Sequence, residues 1–332
     1  MIKRAFVALT LAGALALAGC GKQSTLSPHS SQSHAIAVLW WWMLGVAAVV
    51  FLGAVGLLLL GWWRRGRPGF PIVGQREGFN LGLVIAFGIV IPVVVLVALF
   101  AVSNFYVLGK TEPPKKGSTR LTVDVIGHQW FWEVRYPGTS AVTANEIHIP
   151  ARTRVNVVAT TADVIHSFWV PELNRKIDMI PGQRNRVLLD ADRPGTYRGQ
   201  CAEFCGLQHA HMAFEVVAQP PRRFHAWLAN MSKRARPPTT AAQRRGERVF
   251  LTNACASCHA IRGTPARGDI GPDLTHLATR SAIAAETIPN TRGYLADWIR
   301  NPQHVKPGNK MPGLELSAGD IRALVAYLGG LR

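Results

Sequence analysis

Cys201-Ala202-Glu203-Phe204-Cys205-Gly206-Leu207-Gln208-His209-Ala210-His211-Met212 is the densest chemistry in the chain. Two thiols, two imidazoles and a thioether fall within twelve residues. Soft sulfur with imidazole suits copper or zinc. Cys-x-x-x-Cys alone is weak, but His209 and Met212 at these offsets, with His166 upstream, make a metal centre the expected reading. A structural zinc held by Cys201, Cys205, His209 and His166 is the rival, and it leaves Met212 idle. His211 competes with His209 as a ligand.

Around this block, from Arg120 to Gln219, short β-branched and aromatic stretches alternate with Gly, Pro and Asn. They include Leu121–Ile126, Trp130–Tyr136, Glu146–Ile149, Arg154–Ala159, Arg186–Asp190 and Ala213–Ala218. Strands at that spacing, without a helical period, predict a β-sandwich or barrel over residues 117–220.

Further upstream the chain is apolar. Lys3 and Arg4 precede an apolar run that ends Leu17-Ala18-Gly19-Cys20. Residues 1–20 therefore read as a secretory signal of the lipoprotein type, with Cys20 as the lipidated residue. Residues 21–34 form a polar spacer. Residues 35–63 and 79–108 are uncharged and long enough to cross ~30 Å of hydrocarbon. Trp40, Trp41 and Trp42 at one end and Trp62 and Trp63 at the other suit membrane interfaces. Pro92 lies inside the second span and predicts a kink. Arg64, Arg65 and Arg67 put the intervening loop in the cytoplasm, so everything after Lys110 lies outside.

Downstream of the β region, residues 221–240 begin as a short helix and become a basic, Pro-rich linker. Residues 241–332 carry helical patterns at Ala241–Leu251, Tyr294–Arg300 and Ala318–Leu328. Cys255-Ala256-Ser257-Cys258-His259 is the C-x-x-C-H signature of covalent c-type haem, with His259 as proximal ligand. Lys310-Met311-Pro312 supplies Met311 as the expected sixth ligand, with His276 and His304 as rivals. His/Met ligation raises the potential, as electron transfer requires.

The net charge of +18 comes from 37 Lys and Arg against 19 Asp and Glu. Much of the excess lies in the membrane loop and the linker, which fits topology. No patch interleaves aromatics with cations as nucleic-acid readers do, so no nucleic-acid partner is expected. An odd count of five cysteines argues against a disulfide framework.

The copper-type block, Asp163-Val164-Ile165-His166-Ser167-Phe168-Trp169-Val170-Pro171, and Gly127-His128-Gln129-Trp130-Phe131-Trp132 stand in this order behind two spans. Together they resemble cytochrome c oxidase subunit II with its binuclear CuA centre. Gly271-Pro272-Asp273-Leu274 and Tyr294-Leu295-Ala296-Asp297-Trp298 extend a second resemblance, to class I cytochrome c, over residues 243–332. The implied architecture is multi-domain: a two-helix transmembrane hairpin (residues 35–108), a cupredoxin-like β-sandwich and an all-α class I cytochrome c domain.

The resemblance implies that Cys201 and Cys205 bridge two coppers. One copper adds His166 and Met212, and the other adds His209 and the Glu203 carbonyl. It further implies that the Glu203 carboxylate binds Mg²⁺ against the catalytic subunit. Trp130 is the implied tryptophan through which electrons enter, and Glu77 is linked to proton uptake. His128 and Trp132 are expected to be structural.

A cytochrome fused to a CuA domain implies an oxidase that carries its own donor in the bacterial inner membrane. Its partners would be catalytic subunit I, subunit III, lipid, and an external donor such as a cytochrome c or cytochrome bc complex. From Lys110 to Pro220 the chain holds thirteen Lys and Arg against eleven Asp and Glu, so it lacks the acidic balance that recruits a free basic cytochrome. A tethered donor relaxes that need. A nitric oxide reductase subunit and a membrane electron shuttle without a catalytic partner are the rival functions.

Overall fold

A computed structural model describes residues 23–65, 77–115 and 117–332. Cys20, the signal sequence and Arg67 lie outside the described residues. The membrane segment and the remainder form two separate units, divided at Ser31–Glu112.

The membrane unit holds helix α1 (Ser31–Arg64) and helix α2 (Glu77–Thr111). At 34 and 35 residues they are long and apolar enough to cross a bilayer. Both extend past the apolar runs into polar flanks. Within α2, Ala86–Val90 widens into a π turn just before Pro92. Proline lacks an N–H and its ring crowds the carbonyl four residues back, here that of Gly88. The wider turn relieves that conflict without ending the helix. Glu77 opens α2, where a carboxylate offsets unpaired helix N–H groups.

The β region is a sandwich of two five-stranded sheets. The first is ordered β3 (Val142–Ala144), β2 (Phe131–Arg135), β1 (Leu121–His128), β5 (Val155–Thr161), β8 (Asn185–Leu189). The second is ordered β4 (Glu146–Pro150), β10 (Ala213–Gln219), β9 (Gly195–Cys201), β6 (His166–Trp169), β7 (Ile177–Met179). In β1 the buried residues Val123, Val125 and Gly127 alternate with partly exposed ones, the period-two pattern of a strand with one face on a core. Trp132, Phe168 and Phe214 meet between the sheets, with Trp132 fully buried and 5.0 Å from Phe214 between ring centres. Truncating such a ring typically costs roughly 3 to 5 kcal/mol. Trp132 is thus structural, and so is His128, which stacks on Phe131 and meets Glu133 at 3.1 Å.

Helix α3 (Pro221–Met231) packs back onto this sandwich through Phe224, Trp227 and Met231, its one apolar face. Trp227 stacks on His148 with ring centres 3.9 Å apart. Beyond α3, Lys233 O accepts from His276 Nε2 at 3.1 Å, and Ala235 N–H donates to Arg262 O at 2.8 Å. The Arg262 guanidinium donates to the carbonyls of Ser140 and Met231. The stretch expected as a basic, Pro-rich linker is therefore fastened on both sides. Its Arg and Pro content signals solvent, while the anchoring partners lie far off in sequence.

The C-terminal domain packs α4 (Ala241–Thr252), α5 (Cys255–Cys258), α6 (Arg292–Arg300), α7 (Pro302–Val305) and α8 (Ala318–Leu328). Thr240 caps α4 with a reciprocal bond to Gln243, and Ser317 caps α8 through the Asp320 N–H. Phe250, Ile299, Leu324 and Tyr327 form its core. Beyond the three expected helices the domain adds the short helices α5 and α7 and a small ribbon, Ala282–Ile283 against Ile288–Pro289.

Candidate metal and haem centres

Strands β6 and β9 are paired neighbours, and this pairing brings His166 beside Cys201. The loop after β9 turns back through Cys205 and His209 to Met212, whose main chain meets Cys201 again. Cys201 Sγ lies 3.8 Å from Cys205 Sγ, 3.7 Å from His166 Nδ1 and 3.1 Å from the Glu203 carbonyl oxygen. Cys205 Sγ lies 3.7 Å from His209 Nδ1 and 3.8 Å from Met212 Sδ. All six expected donors thus converge. His211 does not join them; its ring meets Gln208 Oε1 at 3.0 Å.

The two thiols share one acidic preference. The hydrogen bond between them, opposed by burial and helped by His166, holds Cys201 well below the usual thiol range, while at Cys205 the same bond and burial both push the pKa up. Burial favours neutral His166, but bonds to Cys201 and Asp163 outweigh it and raise its pKa. Asp163 Oδ1 meets His166 Nε2 at 2.9 Å, which aims Nδ1 at the sulfurs. The other oxygen of Asp163 accepts from Gln129 N–H at 2.7 Å. A Cβ on Gly127 would lie 2.8 Å from His166 Cδ2, so only glycine leaves room for that ring.

Asp163 and Gly127 were visible in the sequence as motif letters, but their roles depend on contacts across strands. The Glu203 side chain turns outward and meets Lys176 at 3.6 Å. Two thiols, two imidazoles, a thioether and a carbonyl are a donor set that fits a copper pair.

Trp130 is half-buried. Its Nε1 donates to Cys205 O at 3.0 Å, beside Gln129 Nε2 at 2.8 Å. The same ring also borders the second site.

That second site is an apolar cavity walled by Cys255, Cys258, His259, Trp298, Met311 and Leu324, among others. His259 Nδ1–H donates to Pro272 O at 2.8 Å, which leaves Nε2 as the lone-pair donor. Burial, only partly opposed by that bond, lowers the His259 pKa and keeps the imidazole neutral, as a metal ligand must be. A Cβ on Gly271 would lie 2.5 Å from His259 Cε1, so glycine is required there too. Met311 is set by its loop: its N–H donates to Asn309 Oδ1 at 2.8 Å, and Gln303 Nε2 donates to its carbonyl at 2.9 Å. His276 and His304 are absent from the cavity wall among the described residues. Two thiols, a neutral imidazole and a thioether around an apolar cavity fit haem.

Residues 139–219 match the family model for the periplasmic domain of cytochrome c oxidase subunit II, and residues 243–332 match that for cytochrome c. Cytochrome c oxidase subunit 2 of Alkalihalophilus pseudofirmus is 36% identical over 86% of this chain and 83% of its own length. The Bacillus subtilis protein of the same name is 30% identical over 96% of this chain and 95% of its own. The crystal structure of the periplasmic domain of subunit II of cytochrome oxidase of Bradyrhizobium japonicum is 31% identical, over 36% of this chain and 96% of that one, with a TM-score of 0.34. The chain belongs to the cytochrome c oxidase subunit II family, in a form that carries a C-terminal cytochrome c domain.

Proposed function

We propose that this chain is the electron-input subunit of a haem–copper oxidase and passes electrons from its own haem c through CuA to the catalytic subunit, where O₂ becomes water. The observation that carries this reading is the shared wall: Trp130 borders the haem cavity and is bonded to Cys205 of the copper cluster. Haem and copper, when bound, supply the one-electron chemistry. The chain's own residues hold, orient and shield them.

In this reading Cys201 and Cys205 would hold both coppers as thiolates, with His166 and Met212 serving one and His209 and the Glu203 carbonyl the other. The contacts group His166 with Cys201 and Met212 with Cys205. With both sulfurs shared between the coppers, that grouping would be compatible with the assignment. Cys255 and Cys258 would attach the haem, and His259 and Met311 would supply its iron ligands. The Glu203 carboxylate, now facing Lys176, is the Mg²⁺ ligand toward subunit I.

The subunit is membrane-anchored through α1 and α2. We place it in the bacterial inner membrane with both redox domains outside, Cys20 lipidated, subunit III alongside, Glu77 near the proton-uptake side, and a cytochrome c or bc complex as donor. The complex would couple its turnover to proton translocation. The test is flash reduction of the haem in the purified complex while CuA is followed. The expected result is a haem-to-copper rate independent of complex concentration, in a complex that consumes O₂ and not NO. A rate that scales with concentration, or a preference for NO, overturns the reading.

A further inference from the structure

Lys306 is only 2% exposed, yet among the described residues no carboxylate stands within ion-pair reach of it. Its Nζ donates to His211 O at 2.9 Å and to Ala284 O at 3.1 Å. His211 sits in the copper loop, immediately before Met212, and Ala284 belongs to the haem-cavity wall. Burial lowers the Lys306 pKa to about 8, so the ammonium is held at a cost that an apolar side chain of similar length would avoid. A lysine in that place is explained by the two carbonyls it joins, one from each redox domain.

Its neighbours extend the same seam. Gln208 Nε2 donates to Pro307 O. A Cβ on Gly308 would lie 2.8 Å from Leu207 Cδ1, so the two loops touch there. Lys310 Nζ lies 3.7 Å from Asp163 Oδ2. Residues 306–310, which lead into Met311, thus rest on residues 207–211, which lead into Met212. At a separate patch, Ser281 N–H and Oγ donate to Glu146 Oε1 at 2.7 and 3.0 Å. Two separated patches fix orientation as well as distance.

We propose that Lys306 is a positioning residue that locks the cytochrome domain onto the copper loop, so that electrons cross a pre-docked pair instead of waiting for the domains to find each other. This rests on the proposed haem-to-CuA route. The seam joins the loops that carry Met311 and Met212, so the ligand-bearing segments are themselves the docking surfaces. Fusion alone would supply only a high effective concentration.

The experiment compares the intact wild-type complex with Lys306→Met, which keeps the stem and removes the charge and donors. Haem and copper spectra of both serve as controls for assembly. Pulsed dipolar resonance gives the haem-to-copper distance distribution, and flash reduction gives the transfer rate as a function of solvent viscosity. The wild type should show one narrow distance and a viscosity-independent rate. Lys306→Met should broaden the distance, slow transfer roughly tenfold or more, and make the rate viscosity-dependent, because re-docking becomes part of the step. If Lys306→Met fails to assemble, Gln208→Leu decides by the same criteria, with a smaller change in the same direction. A variant indistinguishable from wild type, or a wild-type rate already limited by viscosity, overturns the proposal. A wild-type rate that scales with complex concentration would instead overturn the parent reading.

Discussion

The Trp130 indole donates its N–H to the carbonyl oxygen of Cys205 at 3.0 Å, and its ring borders the haem cavity. One side chain therefore touches the backbone of a copper-cluster residue and the boundary of the neighbouring site. Gln129 Nε2 donates to the same carbonyl at 2.8 Å, so that oxygen has two donors.

Trp130→Phe separates the two roles of this ring. It keeps an aromatic at the wall and removes one of two donors, so stability should change by about 1 kcal/mol or less. Haem-to-copper transfer should slow, with both metal spectra intact, and Trp130→Ala should slow it further. An unchanged flash-reduction rate in Trp130→Ala would show that electrons bypass this ring.

Asp163→Asn tests the orientation of His166. Burial opposes the Asp163 charge, but bonds to His166, the Gln129 N–H and the Val164 N–H outweigh it, so the carboxyl stays ionised below its ordinary range. The amide keeps the shape and loses the charge. Loss of such a partner typically lowers metal affinity roughly 10- to 100-fold. Chelator competition on the full-length protein measures it, and affinity equal to wild type would mean that Asp163 only supports the loop.

The two faces of the haem cavity should fail differently. Met311→Ala should lower the haem potential and open the iron to carbon monoxide, while His259 stays seated. Gly271→Ala puts a methyl 2.5 Å from His259 Cε1 and should perturb the proximal side, with reduced haem content read from the absorbance spectrum. A Met311→Ala protein with unchanged potential and no carbon monoxide binding would point to another axial ligand.

The elements that announced themselves in the sequence are those whose signal is local. Strand β1, with its alternating Val123 and Val125, and helix α8, with Ile321, Leu324, Val325 and Leu328 on one face, are of this kind. Strands with a weaker local signal, such as β9, Gly195-Thr196-Tyr197-Arg198-Gly199-Gln200-Cys201, have few branched residues and two glycines. They are strands because of their neighbours: a Cβ at Gly199 would lie 2.2 Å from Phe214. The ligand residues were legible because metal chemistry restricts both residue type and spacing. Lys306 and Arg262 were not, because each acts on carbonyls supplied by distant segments, and no local pattern encodes that; Asp163 sits three residues from the ring it orients, and only its bond from the Gln129 N–H is long-range.

The contact between β-sandwich and cytochrome domain also makes a pH prediction. Glu286 has a pKa raised to about 8, first by burial and then by Glu215 and Glu146 of the sandwich, with Arg198 and Arg280 pulling the other way. Its ordinary value is 4.5, so the folded chain binds this proton more tightly than the unfolded chain. Where the folded state holds the extra proton, stability falls as pH rises. The contribution is full below about 4.5, declines through the interval, and is lost above about 8. Glu286→Gln mimics the protonated form at every pH. The melting temperature of the variant should therefore match wild type near pH 4.5 and exceed it increasingly up to about pH 8, with a constant gap beyond. Lys306, whose pKa is lowered to about 8, acts in the opposite sense, but only above that pH and equally in both proteins. The difference between the two melting curves thus isolates Glu286. Thermal unfolding of the metal-loaded proteins across this range is the measurement. Parallel curves would mean that Glu286 ionises freely and that three carboxylates meet at this contact without mutual strain.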